Sequence, residues 1–138
     1  MKSPNYSVEH VGLAARNTVL LRDWYMKTLG AQVVFENDQK PRAYLLEMPG
    51  GLLIEIYPAE FTIVETAENR LAGWRHLALT VDSIETASSS LAALGVIFQD
   101  QTKPAGGGGR VLFFRDPEGN LLHLVERPDA AWRAKLTA

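Results

Sequence analysis

The chain has no cysteine among its 138 residues. Disulfides, thiolate metal ligands and a cysteine nucleophile are therefore excluded. No apolar run approaches the roughly 20 residues that a membrane-spanning helix needs. The first residues, Met1 to Ser7, are polar and lack the apolar core of a secretory signal. Charge of one sign is also scarce. The formal net charge is −2 and no basic block stands out, which leaves no electrostatic case for nucleic acid or for an anionic membrane surface. These absences lead us to expect a soluble cytoplasmic protein with a small-molecule partner. The length suffices for a single domain with a real core.

What the chain does have is an internal repeat. In the first half, Val8 to Ala14 reads as a strand. Asn17 or Thr18 is placed to cap a helix that runs to Leu29, with Leu20, Leu21, Trp24, Tyr25 and Leu29 as its apolar stripe. Gly30 is a natural stop. Ala31 to Glu36, Ala43 to Met48 and Leu52 to Tyr57 then read as strands, the last two joined by Pro49-Gly50-Gly51.

The second half repeats the order. Trp74 to Val81 is a strand, and Asp82 or Ser83 caps a helix through Leu94 that Gly95 stops. Val96 to Phe98, Arg110 to Arg115 and Leu121 to Glu126 are strands. Each half is a βαβββ unit, at about residues 8–58 and 74–127. Ala59 to Gly73 links them, partly in helical form, and Asp129 to Ala138 reads as a short terminal helix. The spacing between matching features is nearly constant. His10 and His76 are 66 apart, Leu29 and Leu94 are 65 apart, and Glu55 and His123 are 68 apart. A duplicated unit accounts for this.

Strand side chains alternate between two faces. His10 shares a face with Gly12 and Ala14, and His76 with Trp74, Ala78 and Thr80. Glu55 lies with Leu53 and Tyr57, and His123 with Leu121 and Val125. The opposite faces are aliphatic and await a helix. All 3 histidines and one carboxylate thus occupy matching places of the repeat. Three imidazoles and a carboxylate are a metal-ligand set.

Several stretches together resemble the vicinal oxygen chelate superfamily. They are His10-Val11-Gly12-Leu13, Trp24-Tyr25 to Leu29-Gly30, Leu53-Ile54-Glu55-Ile56, His76-Leu77-Ala78-Leu79 and Phe113-Phe114-Arg115-Asp116-Pro117-Glu118-Gly119-Asn120. That superfamily includes glyoxalase I, extradiol dioxygenases, fosfomycin-resistance enzymes, methylmalonyl-CoA epimerase and bleomycin-resistance proteins. The resemblance implies an α+β fold of two βαβββ units forming a curved mixed sheet around a cleft, with the helices outside. It also implies that the ligands come from the first and last strands of each unit. Those positions are His10, Glu55, His76 and His123.

Three departures bear on substrate. Glyoxalase I usually has Glu at the place of His123. Ala14 stands where that enzyme would carry its glutathione-binding arginine, and Pro58-Ala59 where a polar residue is expected. The resemblance therefore does not extend to a glutathione substrate.

The expected function is a metal-dependent lyase or isomerase, glyoxalase- or epimerase-like, that stabilises an enolate by Lewis-acid catalysis on a small oxygenated metabolite. The metal is Zn, Ni, Fe, Mn or Co, and Glu55 is the expected base. One alternative is an Fe(II)-dependent ring-cleaving dioxygenase. Another is a non-catalytic drug- or metabolite-binding protein of the bleomycin-resistance type. Tyr57, Trp74, Lys103 and Arg110 are candidate substrate contacts. The glycine-rich stretch from Lys103 to Arg110 is either a lid or a mobile hairpin connection; no Lys-Ser or Lys-Thr follows it, so it is not a phosphate loop. By analogy with the superfamily, the chain is expected to form a homodimer.

Overall fold

The computed structural model describes residues 5–62 and 67–136. The chain divides into two compact units, Met1–Thr62 and Ile63–Ala138. Each is a four-stranded sheet with one main helix, so the fold is α+β and built from two βαβββ units.

Unit 1 contains β1 (His10–Ala15), α1 (Thr18–Leu29), β2 (Gln32–Glu36), β3 (Tyr44–Glu47) and β4 (Leu53–Pro58). The sheet order is β1-β4-β3-β2. β1 runs parallel to β4, with His10 opposite Leu53 and Gly12 opposite Glu55. Asn17 caps α1 by accepting the Leu20 N–H at 3.0 Å. Gly30 ends the helix at φ 76°, a left-handed conformation that favours glycine. α1 packs across β4, β1 and β3, and buries Leu21 and Tyr25 with Tyr44, Leu46, Ile54 and Ile56. Leu20 departs from the expected stripe: it is 48% exposed, and Thr28 is buried on the helix instead.

Unit 2 contains β5 (His76–Thr80), α2 (Ile84–Ala93), β6 (Lys103–Pro104), β7 (Arg110–Arg115), β8 (Leu121–Glu126) and the short α3 (Trp132–Lys135). Its order is β5-β8-β7-β6. β5 runs parallel to β8, with His76 opposite Leu121 and Ala78 opposite His123. The two units thus share one register, displaced only in number. Ser83 caps α2 through the Thr86 N–H at 3.2 Å. α2 packs on β8. Ile84, Leu91, Leu112, Phe114, Leu122 and Leu124 form the core.

Three expectations need correction. Val96 to Phe98 is not a strand. Val96 is buried and the Phe98 ring meets Phe114 at a tilt, with centroids 5.5 Å apart, but the backbone of this stretch joins no sheet. The strand that pairs with β7 is instead Lys103–Pro104, inside the stretch read as loop. The terminal helix covers only Trp132–Lys135 of the expected span. The stretch 59–73, expected to be partly helical, contains turns and no helix among its described residues, with 63–66 lying outside them.

The Asp-Pro-Glu-Gly-Asn turn between β7 and β8 has a structural role. Buried Asp116 accepts the backbone N–H groups of Glu118 and Asn120 and the Asn120 side-chain amide. The turn aligns β8, and with it His123.

Candidate metal centre

In unit 1, His10 and Glu55 stand on neighbouring parallel strands and share the face turned away from α1. Glu55 pairs with Gly12, two residues along from His10. Tyr57 lies on the same face. A Cβ added to Gly12 would come within 3.2 Å of its ring, so the missing side chain makes room for Tyr57 over Gly12.

Unit 2 repeats this arrangement with His76 and His123. Their ring centroids are 4.6 Å apart. Phe113, the residue on β7 opposite His123, is edge-on to both rings, at 5.8 Å from His76 and 4.9 Å from His123. Lys103 places its ammonium over the far side of that system, 5.6 Å from the Phe113 centroid. Burial pushes His123 below the ordinary imidazole pKa. Neighbouring His76 and Arg127 act in the same direction, and the hydrogen bond to the Leu124 carbonyl opposes them. His123 is therefore neutral, the form that binds metal.

The three histidines also share one hydrogen-bonding state. His10 Nδ1 meets the Glu9 carboxylate at 3.0 Å, His76 Nδ1 meets the Asn69 amide oxygen at 2.8 Å, and His123 Nδ1 meets the Leu124 carbonyl at 3.2 Å. Each partner is an acceptor, so each Nδ1 carries the proton. In a neutral ring this arrangement leaves Nε2 with its lone pair. Metal-binding imidazoles are held this way, and with Glu55 the donor chemistry fits a divalent ion. Each unit by itself brings together two of the four residues. Among the described residues no group of three or more such side chains is placed to hold an ion.

The other candidates fall out unevenly. Lys103 is on the histidine face of unit 2. Trp74 is not in a strand at all; it precedes β5 and is 97% exposed. Arg110 is on the wrong face. It pairs with Glu126 on β8, and its guanidinium binds Glu85 at 2.6 Å and Glu126 at 3.2 Å. Glu126 in turn accepts the Ile84 N–H at the start of α2. Arg110 therefore belongs to the helix side of the sheet, where two carboxylates occupy it. The three-residue step from Phe113 to Arg110 already implied this. The same counting brings forward Arg115, exposed and two residues from Phe113 on the histidine face. Phe113 and Asn69 were also missed. The first is hidden in an apolar run and the second lies outside the repeat.

The glycine-rich stretch is a tied-down turn. Arg127 donates to the carbonyls of Gly106 and Gly108 at 2.6 and 2.8 Å, and its guanidinium stacks on Trp132 at 3.9 Å. Neither a free lid nor a loose connection describes it.

Residues 7–124 match the family model described as the Glyoxalase/Bleomycin resistance protein/Dioxygenase superfamily. The chain belongs to this superfamily. This superfamily member is 28% identical over 124 residues to the uncharacterized protein YwkD of Bacillus subtilis, covering 88% of this chain and 97% of YwkD. It is 24% identical over 115 residues to a "Probable lactoylglutathione lyase" of Vibrio parahaemolyticus, covering 78% and 81% of the two chains. Among solved structures, a glyoxalase family protein from Enterococcus faecalis superposes with a TM-score of 0.74 at 27% identity, covering 87% of this chain and 97% of that one. FosX, a fosfomycin resistance protein of Listeria monocytogenes in complex with Mn(II) and a dihydroxypropylphosphonic acid, superposes at 0.71. It covers 98% of this chain and 100% of its own, and at 18% identity the likeness shows the fold. No helix among the described residues is long and apolar enough to cross a membrane.

Proposed function

We propose that this superfamily member is a metal-dependent lyase or isomerase that moves a proton on a small, anionic, oxygenated metabolite. The observation that carries the reading is the common setting of the three imidazoles, each with Nδ1 against an oxygen acceptor, which in the neutral ring leaves Nε2 open. Histidines scattered on a solvated sheet have no reason to agree in this. In this reading His10, His76, His123 and Glu55 hold one divalent ion, and the donor set admits Zn, Ni, Fe, Mn or Co.

When bound, the ion supplies Lewis-acid polarisation of a substrate oxygen. The chain's own residues supply the rest. Glu55 takes a proton from the carbon next to a carbonyl and returns it. Lys103 and Arg115 hold the substrate anion from the histidine face of unit 2. Phe113 shields the imidazole pair from water, and Tyr57 orients the substrate beside His10.

The protein acts as a homodimer in this proposal. Support comes from β1 and β5, each of which ends the sheet of its own unit. Neither carries the lysine, proline or acidic residue that usually guards an edge strand. Light scattering at micromolar concentration is expected to give twice the chain mass, and monomer alone would remove this part.

The catalytic part is tested by elemental analysis of freshly purified protein together with turnover by Glu55→Gln. The turnover probe is deuterium wash-in from solvent to small 2-oxo acids and α-hydroxycarbonyl compounds. We expect about one equivalent of a divalent transition metal and exchange that is lost in Glu55→Gln. Undiminished exchange in that variant excludes Glu55 as the base. Absence of metal favours the non-catalytic binding protein.

A further inference from the structure

The two units differ at the residue before the first histidine. Glu9 precedes His10, and at the matching position of unit 2 Arg75 precedes His76. Glu9 accepts the His10 Nδ1–H at 3.0 Å. An arginine has no acceptor to offer, so the duplicated partner is missing in unit 2. The interaction is present all the same. Asn69, seven residues before His76 and outside the repeat, turns its amide oxygen onto His76 Nδ1 at 2.8 Å.

The turn holding Asn69 is closed by its own hydrogen bonds. Glu68 accepts the Arg70 backbone N–H at 3.1 Å and its guanidinium at 3.0 Å, and the Glu68 carbonyl accepts the Leu71 N–H at 3.1 Å. Asn69 is thereby fixed at the apex. Equivalent hydrogen bonds reached by non-equivalent residues are not a leftover of duplication. They point to a requirement on the imidazole itself.

We infer that Asn69 is a positioning residue for His76, doing in unit 2 what Glu9 does for His10: it keeps the proton on Nδ1 and presents the Nε2 lone pair to a metal. This rests on the metal reading above. It assigns a task to the turn at 68–71, which precedes β5 and lies outside the repeat. An unconstrained histidine side chain favours the opposite tautomer, with the proton on Nε2, so without Asn69 His76 would more often present its blocked nitrogen. His123 has no such exposure to chance, because its acceptor is a carbonyl of its own strand.

The test uses Asn69→Ala and Asn69→Asp in the full chain. Imidazole tautomers are read by proton–nitrogen correlation NMR on metal-free protein at about pH 8, above the usual imidazole pKa. Zn²⁺ alone is then titrated in by calorimetry. In the parent protein His76 is expected to carry its proton on Nδ1. Asn69→Ala should move it toward the Nε2–H form and weaken Zn²⁺ binding by about 10–100-fold. Asn69→Asp, which keeps an acceptor, should restore both. If Asn69→Ala changes neither tautomer nor affinity while the parent binds Zn²⁺, the positioning role is overturned and the metal reading stands. If the tautomer switches but the parent binds no Zn²⁺, the positioning role stands and the metal reading falls.

Discussion

His76 and His123 stand on neighbouring parallel strands with ring centroids 4.6 Å apart, and both donate Nδ1–H to an oxygen of their own unit. Two protonated imidazoles at this separation would repel, and burial already holds His123 neutral. The pair is therefore suited to share a cation rather than protons. His123→Ala is expected to weaken Zn²⁺ binding by more than the roughly 10–100-fold that loss of an outer partner costs. Calorimetric titration of metal-free protein measures this. Circular dichroism should show the fold retained, since one small cavity costs about 1–2 kcal/mol. Unchanged affinity would remove His123 from the donor set.

Phe113 connects the histidine pair to Lys103. It is edge-on to both imidazoles and lies under the ammonium. Aromatic pairs add about 0.5–1.5 kcal/mol beyond area burial, and an exposed cation over a ring about 0.5–1 kcal/mol. Phe113→Leu keeps apolar volume and removes both. Urea unfolding should show a loss of about 1–2 kcal/mol. A loss too small to resolve would mean that the ring contacts are incidental.

Glu126 gives a pH dependence whose sign follows from its partners. The Ile84 N–H holds its carboxyl below the ordinary value, Arg110 adds to this, and Glu85 opposes it. A carboxyl with a depressed pKa in the fold binds its proton more readily when unfolded. Its stabilisation is thus fully present above the unfolded pKa, about 4.3, and is lost as pH falls through the folded value. Unfolding free energy should decline below about pH 4.3 in the parent protein, and less steeply in Glu126→Gln. Parallel pH profiles for the two proteins would contradict the assignment.

The sequence made the scaffold legible where local chemistry and periodicity agreed. Asn17 and Ser83 were read as candidate caps because their side chains can accept from the first turn, and both do. β7 and β8 were read at their observed bounds because the Asp-Pro-Glu-Gly-Asn turn brackets them. Val96 to Phe98 misled because burial and backbone pairing are separate properties: an apolar run can fill a core without joining a sheet. β6 was hidden for the converse reason, since Lys103-Pro104 has neither β-branching nor alternation. At the site, alternation within each strand tells which residues share a face with each candidate ligand, and it is the strand registers that join His10's face to Glu55's and His76's to His123's. Arg110 stands an odd step from Phe113, and the same alternation therefore turns it to the helix side, against Glu85 and Glu126. Asn69 was beyond reach, because a partner seven residues upstream in a turn follows no period.

Gly109 ties the turn chemistry to the site. Its φ is +96°, and a Cβ there would run into the Glu126 carbonyl oxygen. The atoms it would meet, of Glu126 and Arg127, are all backbone, so no side chain can move aside to relieve the conflict. Gly109→Ala combines left-handed strain of about 1–3 kcal/mol with a steric conflict, for a total loss above about 3 kcal/mol. Gly106, in the same turn, has an ordinary φ and nothing within 4 Å of an added Cβ, so Gly106→Ala should stay within about 0.5 kcal/mol of the parent. Thermal or urea unfolding of the two variants side by side separates the effect of position from that of loop composition. Equal stabilities would mean the turn is not held as described. The consequence reaches further than stability. The Gly109 carbonyl accepts the Ala105 N–H at 3.0 Å and so closes the hairpin that carries Lys103. If Gly109→Ala remains folded, Lys103 should lose its place over Phe113, and binding of a carboxylate-bearing probe to the histidine face should weaken even though no residue of that face has been changed.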